Sequence, residues 1–286
     1  MAVDDGRMLD GKVVAVTGGG RGVGRAHALA CARAGARVLV VDTGGDVHGQ
    51  GRDPSVAEAV AAQIRGDGGV AHAAPIDVAG PAGPARVVGA ALDAEGRLDA
   101  LISAAGVVAA RTVLKLDDDL LDRAIAVHIK ASFGLVRAAA RAMIERGDGG
   151  SIVLHSGAAA FFGAAKQAAL AATSAAVVGL TRSAAIELRK HRVRVNAIAP
   201  TARTRTTEEL PLFRGIADDS MTPAFVGPVG VFLASDRAAD VTGEVVGVAG
   251  ARLYALGSRE TPGVFGPGEP WSPAAVAEAW AEATRD

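Results

Sequence analysis

Lys12-Val-Val-Ala-Val-Thr17 runs directly into Gly18-Gly-Gly-Arg-Gly-Val-Gly24, and an alanine-rich helical pattern then continues to Ala34. A short, β-branched apolar run that ends in glycines and opens a helix reads as strand, tight turn and helix. Glycines at 18, 22 and 24 let the turn adopt positive φ and let the backbone approach a bound group. The first N–H groups of the helix then face an anion such as a pyrophosphate. A glycine run alone serves a plain tight turn equally well. Asp42 separates the two readings: it closes the second apolar run, Arg37-Val-Leu-Val-Val-Asp42. It lies about 20 residues on, where a carboxylate accepts hydrogen bonds from ribose hydroxyls. An acid there disfavours an extra ribose phosphate, so the spacing predicts NAD(H) over NADP(H).

The same alternation continues outward. Further strands are expected at Val70 to Ile76, Ala100 to Ser103, Ser151 to His155, Arg192 to Ile198 and Glu244 to Val248. Helices are expected near 81–95, 117–146, 164–189 and 223–234. Strands alternating with helices predict crossover connections and a parallel sheet, and unbroken apolar strands such as Val38 to Val41 suit a sheet covered on both faces. The expected organisation is an N-terminal tail over 1–10, a seven-stranded α/β domain over 11–250 and a C-terminal extension over 251–286. In that extension Ser272-Pro273 followed by an Ala/Glu-rich run predicts an N-capped helix, which either closes over the core or reaches a neighbouring subunit.

Composition narrows the function classes. The chain has 286 residues, 50% of them hydrophobic, and a formal net charge of -1, enough for one large core and without a basic field for nucleic acid. Cys31 is the single cysteine, which excludes an internal disulfide and a cysteine-based metal site; it reads as a small core residue. No metal site is expected. The N-terminus lacks a long apolar run, no stretch reads as a bilayer span, and a cytoplasmic protein with no membrane partner is predicted.

These segments, in this order, resemble the short-chain dehydrogenase/reductase family over nearly all of residues 11–250. The Thr-Gly-x-x-x-Gly-x-Gly spacing at Thr17 to Gly24 is that family's variant of the loop. Asp77-Val78 resembles its adenine-contacting pair, Ala104-Ala105-Gly106 its fourth-strand turn, Asn196-Ala-Ile-Ala-Pro200 its sixth-strand end and Val241-Thr-Gly-Glu-Val245 its last strand. More narrowly, Asp42-Thr-Gly-Gly-Asp46, Val127-His-Ile-Lys130 and the Thr/Arg stretch after Ala199-Pro200 resemble the 3-hydroxyacyl-CoA dehydrogenase domains of multifunctional enzymes. One departure is Ser103-Ala104, where the family often has Asn-Asn. The resemblance implies a Rossmann-type doubly wound fold and a dinucleotide held by Gly18, Arg21, Gly22, Val23, Gly24, Asp42, Asp77, Val78, Ala105, Gly106 and Pro200.

The departure with most consequence concerns catalysis. Members of the family move hydride at the nicotinamide while a tyrosine, its pKa of about 10 lowered by a lysine four residues later, passes the proton. Ala175-Ala-Val-Val-Gly-Leu-Thr181 resembles the segment after that lysine, and Gly163 and Gln167-Ala168 resemble the lead-in. This register puts Leu170 at the tyrosine, Ser174 at the lysine and Gly157 at the serine that polarises the substrate carbonyl. Pairing Phe162 with Lys166 instead turns the helix face by about 80°, at about 100° per residue, and phenylalanine has no hydroxyl. The sole tyrosine, Tyr254, reads as a packed aromatic of the tail.

His155, two residues before Gly157 on the same strand, and His128 are the candidate substitutes for the lost acid/base. Ser156 is expected on the opposite strand face and Lys166 in solvent. His128 also resembles the position that keeps a kinked or water-linked helix in the family. The reading is therefore an NAD(H)-binding protein without the usual catalytic residues. It pairs as a non-catalytic subunit with an active paralogue or forms a homo-oligomer, and loss of the lysine's ribose contact weakens the cofactor's grip. Two alternatives stay open: an active oxidoreductase on a hydroxyacyl-CoA or alcohol working through His155 or His128, and a nucleotide-responsive regulator.

Overall fold

The computed structural model describes residues 7–266, 268 and 270–285. They form two units, one ending at Leu256 and the other starting at Gly257.

In the first unit the strands are β1 (Val13–Thr17), β2 (Arg37–Val41), β3 (Val70–Ala74), β4 (Ala100–Ser103), β5 (Gly150–His155), β6 (Val193–Thr201), β7 (Val245–Ala249) and β8 (Arg252–Ala255). They make a single sheet ordered β3-β2-β1-β4-β5-β6-β7-β8. All neighbours are parallel except β7 and β8. The order reverses between β1 and β4, the switch point beside which open sheets of this kind bind ligands.

The helices are α1 (Gly22–Arg33), α2 (Ser55–Gly66), α3 (Gly83–Glu95), α4 (Asp118–Ala124), α5 (Ala131–Arg146), the single turn α6 (Ala159–Phe162), α7 (Ala168–Leu188) and α8 (Gly227–Ala234). Side chains alternate along each strand. Val14, Val16, Val38, Val40, Ile102 and Val153 join α1, α2 and α8 in one core. Ala15, Leu39, Leu101, Ile152 and Leu154 join α3, α5 and α7 in the other. This is the doubly wound, Rossmann-type α/β fold.

Four expectations need correction. The helix Ser55–Gly66 was not among those read from the periodicity, although Val60, Ala61 and Ile64 form a buried face. The helix expected over 164–189 starts only at Ala168, after a separate turn α6, because Gly163 and Lys166 both take positive φ between them. The sheet has eight strands, not seven, and the first unit runs to Leu256, past 250. Gly250, at φ +53, turns the chain back, so Val248 faces Leu253 and Gly247 faces Tyr254. The absent side chain of Gly247 makes room for the Tyr254 ring. Finally, Ala168–His191 is long and apolar enough to cross a membrane by composition, with 50% of that window buried; Val177, Val178 and Ala184 lie in the core beside β6.

In the second unit, α9 (Pro273–Ala283) begins as the sequence suggested: the Ser272 hydroxyl accepts from the Ala275 N–H at 3.2 Å, with proline at the helix start.

A methyl at Gly247 overlaps the Tyr254 ring. Gly247→Ala is expected to lower unfolding free energy by about 1–3 kcal/mol in urea titration, and pairing with Tyr254→Ala to recover part of the loss. An unchanged midpoint in Gly247→Ala overturns this account of β8.

Candidate functional site

The carboxyl ends of the strands surround a cleft of about 730 Å³. Its floor is the β1–α1 turn. Gly18, at φ +66, lies so close to β4 that a Cβ there would sit 2.7 Å from the Ala104 carbonyl oxygen. The Ala104 N–H donates to the Thr17 carbonyl at 3.1 Å and the Ala105 N–H to the Thr17 hydroxyl at 3.4 Å, drawing the two strand ends together. No side chain caps α1 and no acid occupies its first turn. Its opening residues Gly22, Val23 and Gly24 line the cleft, so unsatisfied helix N–H groups and the positive end of the dipole are available to an anion.

Asp42 lies where the spacing placed it. One carboxylate oxygen accepts from the Gly20 N–H at 3.0 Å and the other from the Gly44 N–H at 2.8 Å, which aims the group into the cleft while leaving lone pairs for ribose hydroxyls. Sequence reasoning missed a neighbour: Arg205, from the segment after β6, donates to the Gly45 carbonyl at 3.2 Å, and Arg21 donates to the same oxygen at 2.9 Å. Two guanidiniums thus converge beside Asp42. Desolvation, then repulsion from Arg21, lowers the Arg205 pKa, while Asp42 and Asp46 oppose the shift. The remaining expected residues, Asp77, Val78, Ala105, Gly106 and Pro200, all line the cleft. The Asp77 carboxylate holds its own loop by accepting from the Ala79 N–H at 2.9 Å.

At the reactive end, α7 presents Leu170 and its lead-in presents Gln167. Ser174 is buried, and a Cβ on Gly157 would meet its hydroxyl at 3.4 Å. Ser156 also lines the cleft, contrary to expectation, because β5 ends at His155 and strict alternation ends with it. Its hydroxyl donates to the Ser174 carbonyl at 3.0 Å. Lys166 is exposed and lies outside the cleft wall. Tyr254 stacks under the Arg252 guanidinium at 4.4 Å and is equally absent from it.

Both candidate histidines line the cleft and make internal hydrogen bonds. The His155 Nδ1 lies 3.0 Å from the Ser103 carbonyl and must carry the hydrogen; its Nε2 then accepts, at 3.1 Å, from the Nε2–H of fully buried His27 on α1. Both ring nitrogens of His155 are occupied, and desolvation brings its pKa to about 4. His27, for which burial and then His155 oppose protonation, lies well below the usual histidine value. This tautomer leaves the His27 Nδ1 an unpaired acceptor against Gly230.

His128 sits in a π-helical turn, Ile125–Lys130, that interrupts α4 and α5. Its Nε2 lies 3.0 Å from the Val107 carbonyl, the Ser132 hydroxyl takes the loosened His128 carbonyl at 2.8 Å, and burial lowers its pKa. Local bonding therefore accounts for it as a support of the distorted helix. Burial pushes the Cys31 thiol up to about 12, so it offers no thiolate. Among the described residues no cluster suited to a metal ion occurs.

With a doubly wound sheet, this glycine turn and Asp42 in place, the class is a nucleotide-binding oxidoreductase fold. Residues 12–211 match the short chain dehydrogenase family, and the chain belongs to it. It is 36% identical over 274 residues to the peroxisomal multifunctional enzyme type 2 of Mus musculus, covering 95% of this chain but only 36% of that enzyme. It is 36% identical over 252 residues to the L-rhamnose 1-dehydrogenase (NAD(P)(+)) of Azotobacter vinelandii, covering 82% of this chain and 94% of the relative. A short chain dehydrogenase structure from Mycobacterium avium superposes with a TM-score of 0.86 at 36% identity, covering 96% of this chain and 95% of the other.

The buried histidine pair sets a pH dependence. Both pKa values are depressed in the native state, so on acidification the unfolded chain binds protons first and stability falls. The loss is expected from about pH 6.5 down to about pH 4, the usual and native values for His155, and to amount to about 3 kcal/mol for His155 alone. Urea unfolding at stepped pH measures it. His27→Gln, which keeps an N–H toward His155, should remove the His27 share of the slope; an equally steep slope in the variant rules out His27 as a contributor.

Proposed function

We propose that this chain is an NAD(H)-binding member of the short chain dehydrogenase family that has lost the family's proton-transfer residues and serves as a non-catalytic subunit beside an active dehydrogenase. The observation that carries this reading is the end of the cleft. Leu170 faces it, Ser174 lies buried one turn later, and Gly157 packs on Ser174. In the family register these three take the places of the tyrosine, lysine and serine. A leucine can shape a pocket for a nicotinamide, but it neither donates nor accepts a proton.

The dinucleotide half of the cleft supports binding. The α1 N-terminus is open to a pyrophosphate, Asp42 is held toward the ribose, and Asp77-Val78 flank the adenine position. The lysine that would grip the nicotinamide ribose is absent, so affinity is reduced. The alternative of an oxidoreductase acting through His155 or His128 is disfavoured by the bonds both rings already make and by their depressed pKa values. As an assembly surface, α5 and α7 present Phe133, Ala172, Ala175, Gly179 and Ile186 to solvent, whose small residues allow close helix approach. A second copy or an intact paralogue fits there.

Calorimetric titration tests the binding half. NADH should saturate one site per chain, NADPH should bind about tenfold more weakly, and Asp42→Ala should reduce NADH affinity by about tenfold or more. Absence of NADH binding at about millimolar concentration overturns the cofactor assignment. Restoring the lost pair in Leu170→Tyr/Ser174→Lys should tighten NADH about tenfold through the ribose contact. Turnover of hydroxyacyl-CoA or alcohol substrates by the unmodified chain, abolished by His155→Ala, sinks the non-catalytic reading.

A further inference from the structure

The amino ends of the strands, on the sheet edge opposite the cofactor cleft, border a second cavity of about 560 Å³. It opens between the segments that lead into β1, β4, β5 and β6. Six cationic and four acidic side chains line it. Three of the cations, Arg189, Arg192 and Arg194, come from one short stretch. There α7 passes through a 3-10 turn, and Arg192 adopts φ +58 before β6 begins.

The acids of this wall are largely engaged with other partners. Asp99 accepts from the Val13 N–H at 2.9 Å and from Arg97 at 2.7 and 2.8 Å, with Arg146 at 3.3 Å. Asp236 pairs with Lys12 at 2.8 Å. Two arginines are held differently, by neutral carbonyl oxygens. Arg192 donates to Gly147 at 2.7 Å, and Arg194 donates to Leu233 at 2.7 Å and Ser235 at 3.0 Å, at the carboxyl end of α8. A carbonyl fixes the position of a guanidinium without cancelling its charge, and each guanidinium has five N–H donors, so donors remain. Desolvation lowers the Arg194 pKa, with Asp236 only partly opposing it. Arg146, by contrast, is ion-paired with Asp99 at 3.3 Å and Asp148 at 3.6 Å. Guanidiniums held by carbonyls rather than by carboxylates keep donors for a multiply charged oxyanion.

We propose that this cavity binds the phosphate or pyrophosphate group of a small phosphorylated molecule, with Arg189, Arg192 and Arg194 as its cationic wall. The volume exceeds that of a bare inorganic ion, which favours an organic phosphate. Nothing in the dinucleotide reading depends on this site, and the site does not depend on cofactor binding.

Inorganic pyrophosphate is the probe, titrated calorimetrically into the full chain. The α1 N-terminus in the cofactor cleft also attracts it, so variants on the two edges are compared. Arg189→Gln/Arg192→Gln alters exposed members of the wall and spares Arg194, whose bonds to α8 support the fold; an unchanged melting temperature verifies that the variant is folded. Saturable binding that weakens about tenfold in this double variant, and survives both Arg21→Gln and about millimolar NADH, supports the proposal. Binding that follows Arg21→Gln or is displaced by NADH places the pyrophosphate in the cofactor cleft and overturns it. So does an absence of saturable binding up to about 10 mM, which corresponds to an affinity too weak to be specific.

Discussion

The backbone of Gly18 packs against the Ala104–Ala105 peptide with no space for a side chain, and Gly24 packs equally tightly on the Gly18 carbonyl. These contacts join the end of β1, the start of α1 and the end of β4 at the point where the strand order reverses. The floor of the cleft, the direction of the free α1 N–H groups and the position of Asp42, which is tied to the Gly20 N–H, all follow from them. A methyl at either glycine would separate α1 from the sheet. The same glycines that make the turn possible are those the cofactor would approach, so one set of residues meets a folding and a binding requirement together.

Farther along the cleft the polar groups are turned inward. His155 uses one nitrogen on β4 and the other on α1, His128 supports a π-helical turn, and the Ser156 hydroxyl bonds the α7 backbone. Each interaction fixes one element relative to another. Burial lowers the pKa of both histidines. One part of the cleft is walled by the glycine turn and Asp42, and the other by Gln167, Leu170, Ser156 and the two histidines.

What the sequence alone determined is the part that depends on local chemistry and on period. The doubly wound fold, seven of the strands and the glycine turn with Asp42 follow from apolar runs, glycine positions and an acid about 20 residues on, whereas Asp77, Val78, Ala105, Gly106 and Pro200 are singled out only by the family resemblance. Tertiary structure decided the rest, because the deciding contacts join residues far apart in the chain. The Gly247–Tyr254 packing that makes an eighth strand becomes evident only once a hairpin forms at Gly250. Ser156 enters the cleft because β5 ends one residue earlier, and Arg205 reaches Gly45 across 160 residues. The tautomer and the low pKa of His155 depend on His27, 128 residues away in sequence and brought to 3.1 Å by the packing of α1 on the sheet. Periodicity can place a histidine on a face; only the folded core determines whether its nitrogens are free.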